Sequence, residues 1–282
     1  MVEQVFGQRD RDGGEGDDVA QCLAVYDGLP VNGVAMRIAL SSSAFRRPFA
    51  AGELTQLEWV ERCAAGLGAD GIVCGMADFP RTDGEYVAQV RKVAVDLGLV
   101  PFGLDAPGFL DPAAAPGARD ATLALASGLG ALVLRTELAA PGDVPPAAFV
   151  EAASVAKTAA KAAKGVNVTL LLAARPGTLA ADRDGLRHLI KDVDSAWLRA
   201  CPRAVDGREG WGPKERFPAF EATVSDDAGA VAAGAAGGWV IVDAADPERP
   251  WEVLQAAIRA LRSAAARRAG DGAVAGAAAA AP

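Results

Sequence analysis

The chain has 282 residues, 51% of them apolar, and a formal net charge of −8, so one large core is within reach. Seven acids and two arginines fall in residues 1–35, a net of −5, which leaves −3 for the rest; with no basic face to meet a phosphate backbone, nucleic acid is excluded as a partner. No membrane span is expected either, because the uncharged run 228–242 is broken by glycines and falls short of the roughly 20 apolar residues a crossing needs.

The N-terminus lacks the basic start and apolar core of a signal peptide. Cys22, Cys63, Cys74 and Cys201 form no C-x-x-C pair and read as reduced packing residues, which points to the cytoplasm. Residues 1–35 are Gly- and Asp-rich with weak periodicity and are expected to be a disordered or non-native extension, with Met36 a natural start. The barrel domain is expected over 36–268, followed by an Ala/Gly-rich disordered tail over 269–282.

Strand 1 is expected over 34–42. Thr55 then caps a helix, with Glu58 completing a capping box, and Val60, Cys63, Ala64 and Leu67 form its apolar stripe up to Gly68. Strand 2 follows over 71–76. Asp83 caps the next helix, whose Tyr86, Val90, Val93 and Leu97 share a face, and Gly98 stops it. Strand 3 over 100–105, a helix over 118–128 and strand 4 over 131–137 come next.

Pro145 and Pro146 open an alanine-rich helix to Lys164, and strand 5 is expected over 167–173. Asp182 starts a helix through Lys191 ahead of strand 6 over 196–201. Between Pro202 and Arg216 only Trp211-Gly212-Pro213 turn chemistry is visible, so the sixth crossover reduces to a loop. Strand 7 over 217–224, a short helix over 228–235, strand 8 over 238–244 and a last helix with Trp251, Leu254, Ile258 and Leu261 on one face complete the pattern.

Repeated strand–helix units of this length imply parallel strands and right-handed crossovers. An open doubly wound sheet is the alternative. Eight units suit closure better, and Ser41-Ser42-Ser43-Ala44-Phe45 stands where a Gly-rich fingerprint would follow strand 1. The fold class is therefore α/β, a (β/α)8 TIM barrel, with function at the C-terminal ends of its strands.

Several segments resemble the xylose isomerase-like barrels, the sugar phosphate isomerases/epimerases. They are Leu57-Glu58-Trp59-Val60-Glu61-Arg62-Cys63, Gly68-Ala69-Asp70-Gly71-Ile72-Val73, Phe79-Pro80 with Asp83, and Asp96-Leu97-Gly98-Leu99. Arg175-Pro176-Gly177-Thr178-Leu179 and Asp192-Val193-Asp194-Ser195-Ala196-Trp197 continue the match, which runs from Met36 to Leu261. Each motif is common in β/α proteins; their order and spacing carry the resemblance. It implies a divalent metal, often Mn²⁺, held by a Glu, Asp, His, Glu set at strand ends, with paired acids moving a proton beside a polarised carbonyl.

The sequence departs from that set. Strand 5 ends Leu172-Ala173-Ala174-Arg175, strand 6 reads Arg199-Ala200-Cys201-Pro202-Arg203, and strand 7 offers Glu221, Thr223 and Ser225 where a histidine would stand. No metal ligands and no cofactor are therefore expected. His188 lies in an outer-helix pattern, where packing or surface roles dominate, and Cys201 lacks a neighbouring base that would make it a nucleophile.

The candidate proton-transfer residues are Glu137, Glu221 and Asp243. Arg135, Arg175 and Arg199 are the candidate anion holders, since forked guanidinium groups match carboxylate or phosphate. Arg135 and Glu137 share a strand parity and could form an internal ion pair; Arg199 could bind an anion or neutralise Glu221 or Asp243.

The expected partner is a small carbohydrate or sugar phosphate, with a homo-oligomer left open. Two activities compete: an isomerase/epimerase relative working without the metal, and a non-catalytic barrel that binds a ligand or a protein. A multi-zinc endonuclease site is excluded by the single histidine.

Overall fold

The computed structural model describes residues 36–115, 117–138, 146–176, 178–207, 211, 217–235, 238–245 and 247–279. The expectation for 1–35 lies outside them, as do Cys22 and Pro145.

Eight strands form one parallel sheet: β1 (Arg37–Ser41), β2 (Gly71–Gly75), β3 (Val100–Asp105), β4 (Val133–Glu137), β5 (Thr169–Ala173), β6 (Leu198–Cys201), β7 (Ala219–Thr223) and β8 (Trp239–Asp243). Their order is β6-β5-β4-β3-β2-β1-β8-β7. The two edge strands approach where the Glu221 N–H donates to the Pro202 carbonyl at 2.9 Å, beside an isolated Arg203–Glu221 bridge. The result is a nearly closed (β/α)8 barrel.

Helices α1 (Arg46–Ala50) and α2 (Gln56–Arg62) join β1 to β2; α3 (Gly84–Asp96), α4 (Ala118–Leu129), α5 (Pro146–Gly165) and α6 (Arg183–Val193) make the next four crossovers. Helix α7 (Ala228–Ala235) joins β7 to β8, and α8 (Pro250–Ala279) follows β8. Between β6 and β7 the described residues hold a single 3-10 turn, Ala204–Asp206, as a reduced sixth crossover requires. That turn packs tightly on α7: a Cβ at Gly234 would lie 1.8 Å from the Ala204 carbonyl oxygen.

The local signals act as the chemistry dictates. Thr55 and Glu58 exchange both bonds of a capping box, and Gly68 takes the left-handed conformation (φ 63°) that ends the following π turn. Leu97 departs from its expected stripe. It is the C-cap residue of α3 and 45% exposed, while Val87 and Ala94 are buried with Tyr86 and Val90. Once the helix ends, the 3.6-residue period no longer governs where a side chain points. Helix α8 runs on to Ala279, into the segment where no fixed element was expected; alanine has the highest helix propensity, so a helix continues there without an amphipathic face.

Two layers of core result. Outside the sheet, Trp59, Phe45, Leu104 and Leu134 sit among the apolar faces of the helices. Inside the barrel, Ala39, Val73, Phe102, Val133, Leu171, Cys201, Ala219, Trp239 and Ile241 fill the lower layers, with Phe102 stacked on Trp239 at 4.4 Å. The mouth lies above this apolar plug.

Candidate functional site

Two residues further along β4, β7 and β8, and at the end of β3, the interior turns ionic. Arg135 of β4 is 2% exposed and sits among Asp105 of β3, Glu221 of β7 and Asp243 of β8. Its Nε and Nη2 donate to the two oxygens of Asp105 at 3.1 and 3.0 Å. Its Nη1 donates to Glu221 Oε1 at 3.0 Å and to Asp243 Oδ2, and Nη2 also reaches Asp243 Oδ1 at 3.2 Å. A guanidinium has five N–H groups, and all five are engaged. Burial works against the charge, but the three carboxylates outweigh it and hold the Arg135 pKa well above its usual value.

Arg175, just past β5, forms a second layer. It donates through Nη1 and Nη2 to Glu221 at 2.9 and 3.1 Å, and its Nε lies 2.8 Å from Glu137 Oε2. Glu221 Oε1 therefore accepts from both arginines, and Oε2 from Arg175 alone. Asp243 is further fixed by Ser43, whose Oγ donates to it at 2.8 Å, while Ser41 Oγ donates to Ser43 at 3.0 Å. Burial would raise Asp243, but the Arg135 charge, with hydrogen bonds from Arg135, Ser41 and Ser43, brings it down to about 2.

Above this floor opens a cavity of about 900 Å³, lined by Asp105, Arg135, Glu137, Arg175, Glu221 and Asp243 and rimmed by Arg46, Arg47 and Arg203. The floor carries two arginines against four acids, whereas the rim adds three arginines. Of these rim arginines, Arg203 is itself paired with Asp226 at 2.7 Å. Glu137 is the most exposed of the four acids, its side chain 30% exposed against 8–20% for the other three.

The structure brings five of the six candidates together and redistributes their roles. Arg135 does not pair with Glu137. The two share a parity but stand at different depths, and Arg135 meets acids from three other strands instead. With all its donors used, Arg135 has none left for a ligand anion, contrary to the expectation.

Arg199 is not at the mouth. It is the second residue of β6, two positions below Cys201, and does not line the cavity; burial lowers its pKa, and no described residue pairs with it. Glu221 and Asp243 are neutralised by Arg135 and Arg175, not by Arg199. Burial drives the Cys201 thiol well up, in keeping with packing, and His188 is exposed on α6, 3.5 Å from Asp192.

Asp105 and Arg46 were missed as site residues. Asp105 was visible as a polar residue ending strand 3. Nothing in the local pattern marked Arg46, which reaches the cavity because the turn Ser42–Phe45 and α1 fold over the β1 end.

The donor set does not suit a divalent cation. The oxygens of Asp105, Glu221 and Asp243 are turned onto guanidinium groups, and among the described residues no group of three or more His, Cys, Asp or Glu side chains could hold a metal ion.

An L-ribulose 3-epimerase superimposes with a TM-score of 0.62 at 16% identity, covering 88% of this chain and 100% of that one. A xylose isomerase domain protein from Salmonella typhimurium LT2 gives 0.61 at 11% identity over 81% and 97% of the two chains. The likeness is one of fold, a (β/α)8 barrel. A family 2 AP endonuclease from Brucella melitensis also shares it, with a TM-score of 0.57 at 17% identity over 77% and 96% of the chains, so architecture alone does not choose the chemistry. No protein-family model and no curated protein matches the sequence.

Proposed function

We propose that the barrel mouth binds a small carbohydrate or sugar phosphate without a divalent metal, and that Glu137 is the group able to move a proton on it. One observation carries the reading. A buried guanidinium with every donor satisfied takes the centre of the acid cluster, where a metal-dependent barrel of this architecture would place its cation.

The chamber suits a polyol. Carboxylates at depth accept hydrogen bonds from hydroxyl groups, and rim arginines face a phosphate. Arg175, 35% exposed, sits beside Glu137 and can stabilise charge developing on a carbonyl oxygen as a proton leaves the adjacent carbon. The competing reading, a barrel that binds without catalysis, draws on the locking of Glu221 and Asp243 by arginines, which removes the second acid a two-base epimerisation needs.

Calorimetric titration with a panel of sugars and sugar phosphates, in excess EDTA, tests the binding. Solvent deuterium incorporation into the bound ligand tests the proton transfer. The expected result is binding indifferent to EDTA, with exchange that disappears in Glu137→Gln. Binding without exchange selects the non-catalytic barrel; binding that requires Mn²⁺ overturns the proposal.

A further inference from the structure

A second cavity of about 430 Å³ opens beside the mouth chamber and shares Ser43, Arg46, Asp105 and Pro107 with it. The side pocket is the more apolar of the two: Met76, Ala106, Phe109, Ala114 and Ala118 supply most of its wall, while Arg46, Asp78, Asp105 and Arg119 edge it.

Its wall is held in shape. Arg119 donates from Nε to the Phe109 carbonyl at 3.0 Å and from Nη2 to the Asp111 carbonyl at 2.7 Å, which pins the turn Pro107–Leu110. Opposite, Thr122 Oγ1 donates to the Ala118 carbonyl at 2.8 Å and lies 3.4 Å from Met76 Sδ, and Ser42 ties Asp78 to the Gly75 backbone. Burial raises the Asp78 pKa against the pull of that Ser42 bond. Arg46 stands at the junction and has no hydrogen bond or ion pair with a described residue.

We infer that the ligand of this barrel is a two-part molecule: a polyhydroxylated or phosphorylated head in the chamber, joined to a compact apolar ring that fills the side pocket, with Arg46 reading the join. This rests on the proposed carbohydrate reading and narrows its substrate class. A bare sugar would leave the side pocket apolar and unfilled. The space is ample, since an apolar cavity of roughly 150 Å³ already holds a benzene molecule. Continuity through Ser43 and Arg46 lets one ligand span both compartments without crossing solvent.

The test compares matched probes on the intact chain by calorimetry: glucose 6-phosphate against phenyl β-D-glucoside 6-phosphate, with further sugar phosphates and their phenyl glycosides. The aryl partner should bind about ten- to a hundredfold more tightly, the worth of burying one ring. Ala118→Trp, at the half-exposed start of α4, should fill the pocket and abolish that advantage while leaving the plain sugar phosphate affinity unchanged. Ala114→Trp is a second blocking variant in case the first fails to fold.

Equal affinities for the pair overturn the two-part ligand yet leave the carbohydrate reading standing, as does an aryl advantage that survives both blocking variants. Binding of neither partner across the panel overturns both.

Discussion

The lower and upper layers of the barrel interior are built by the same strands and carry opposite chemistry. On β4 the step is from Val133 to Arg135, on β7 from Ala219 to Glu221, on β8 from Ile241 to Asp243. A step of two residues keeps the inward parity and climbs about 7 Å toward the mouth. Below it, apolar contacts hold the barrel; above it, the buried Arg135 and the carboxylates around it compensate each other at the floor of an open chamber. The comparison shows that burial alone does not make an interior apolar. Compensation can replace hydrophobicity where every donor finds an acceptor, and those mutual contacts leave the mouth polar for a ligand.

Arg135→Ala should cause the largest loss, about 3–5 kcal/mol, because it strands Asp105, Glu221 and Asp243 around a buried space. Urea unfolding would measure it. The deficit relative to the unmodified chain should narrow as the pH falls, because protonation relieves the repulsion among the stranded acids.

Phe102→Ala in the apolar layer should cost a similar roughly 3–5 kcal/mol by opening a cavity against Trp239. Its deficit should stay flat across the same pH range. Equal pH dependence for the two variants would break the contrast between the layers.

Asp243 sharpens the comparison. It sits at about 2 in the fold against an ordinary 3.8, so its stabilisation is present above pH 4 and is lost as the pH falls toward about 2. The loss is on the order of 2 kcal/mol and should vanish from the profile of Asp243→Asn. Glu137→Gln, at a half-exposed ion pair, should change stability by about 1 kcal/mol or less while removing deuterium exchange. The smallest effect expected is that of EDTA on the thermal midpoint: none beyond experimental scatter.

Much of this scaffold was legible. The caps at Thr55, Asp83 and Asp182, the left-handed glycines Gly68 and Gly98, and the alternation of apolar runs are local, and local sterics and hydrogen bonds decide them. The acids and arginines of the mouth were also visible as strand-end residues. Their pairing was not. Arg135 finds partners 30, 86 and 108 residues away, and which strands face each other across the barrel depends on its closure and stagger. Arg199 lies away from the chamber lining for the same reason: parity can be read along a strand, but depth in the barrel cannot.

The amino-acid order thus determined the eight-fold alternation, the caps and the inward-facing residues, because each follows from contacts within a few positions of the chain. Only the closed barrel decided that a guanidinium would sit at the centre of the acid cluster, and that an apolar pocket would open beside a charged chamber. Both are meetings of distant strands, and their geometry exists only once the sheet has curled on itself.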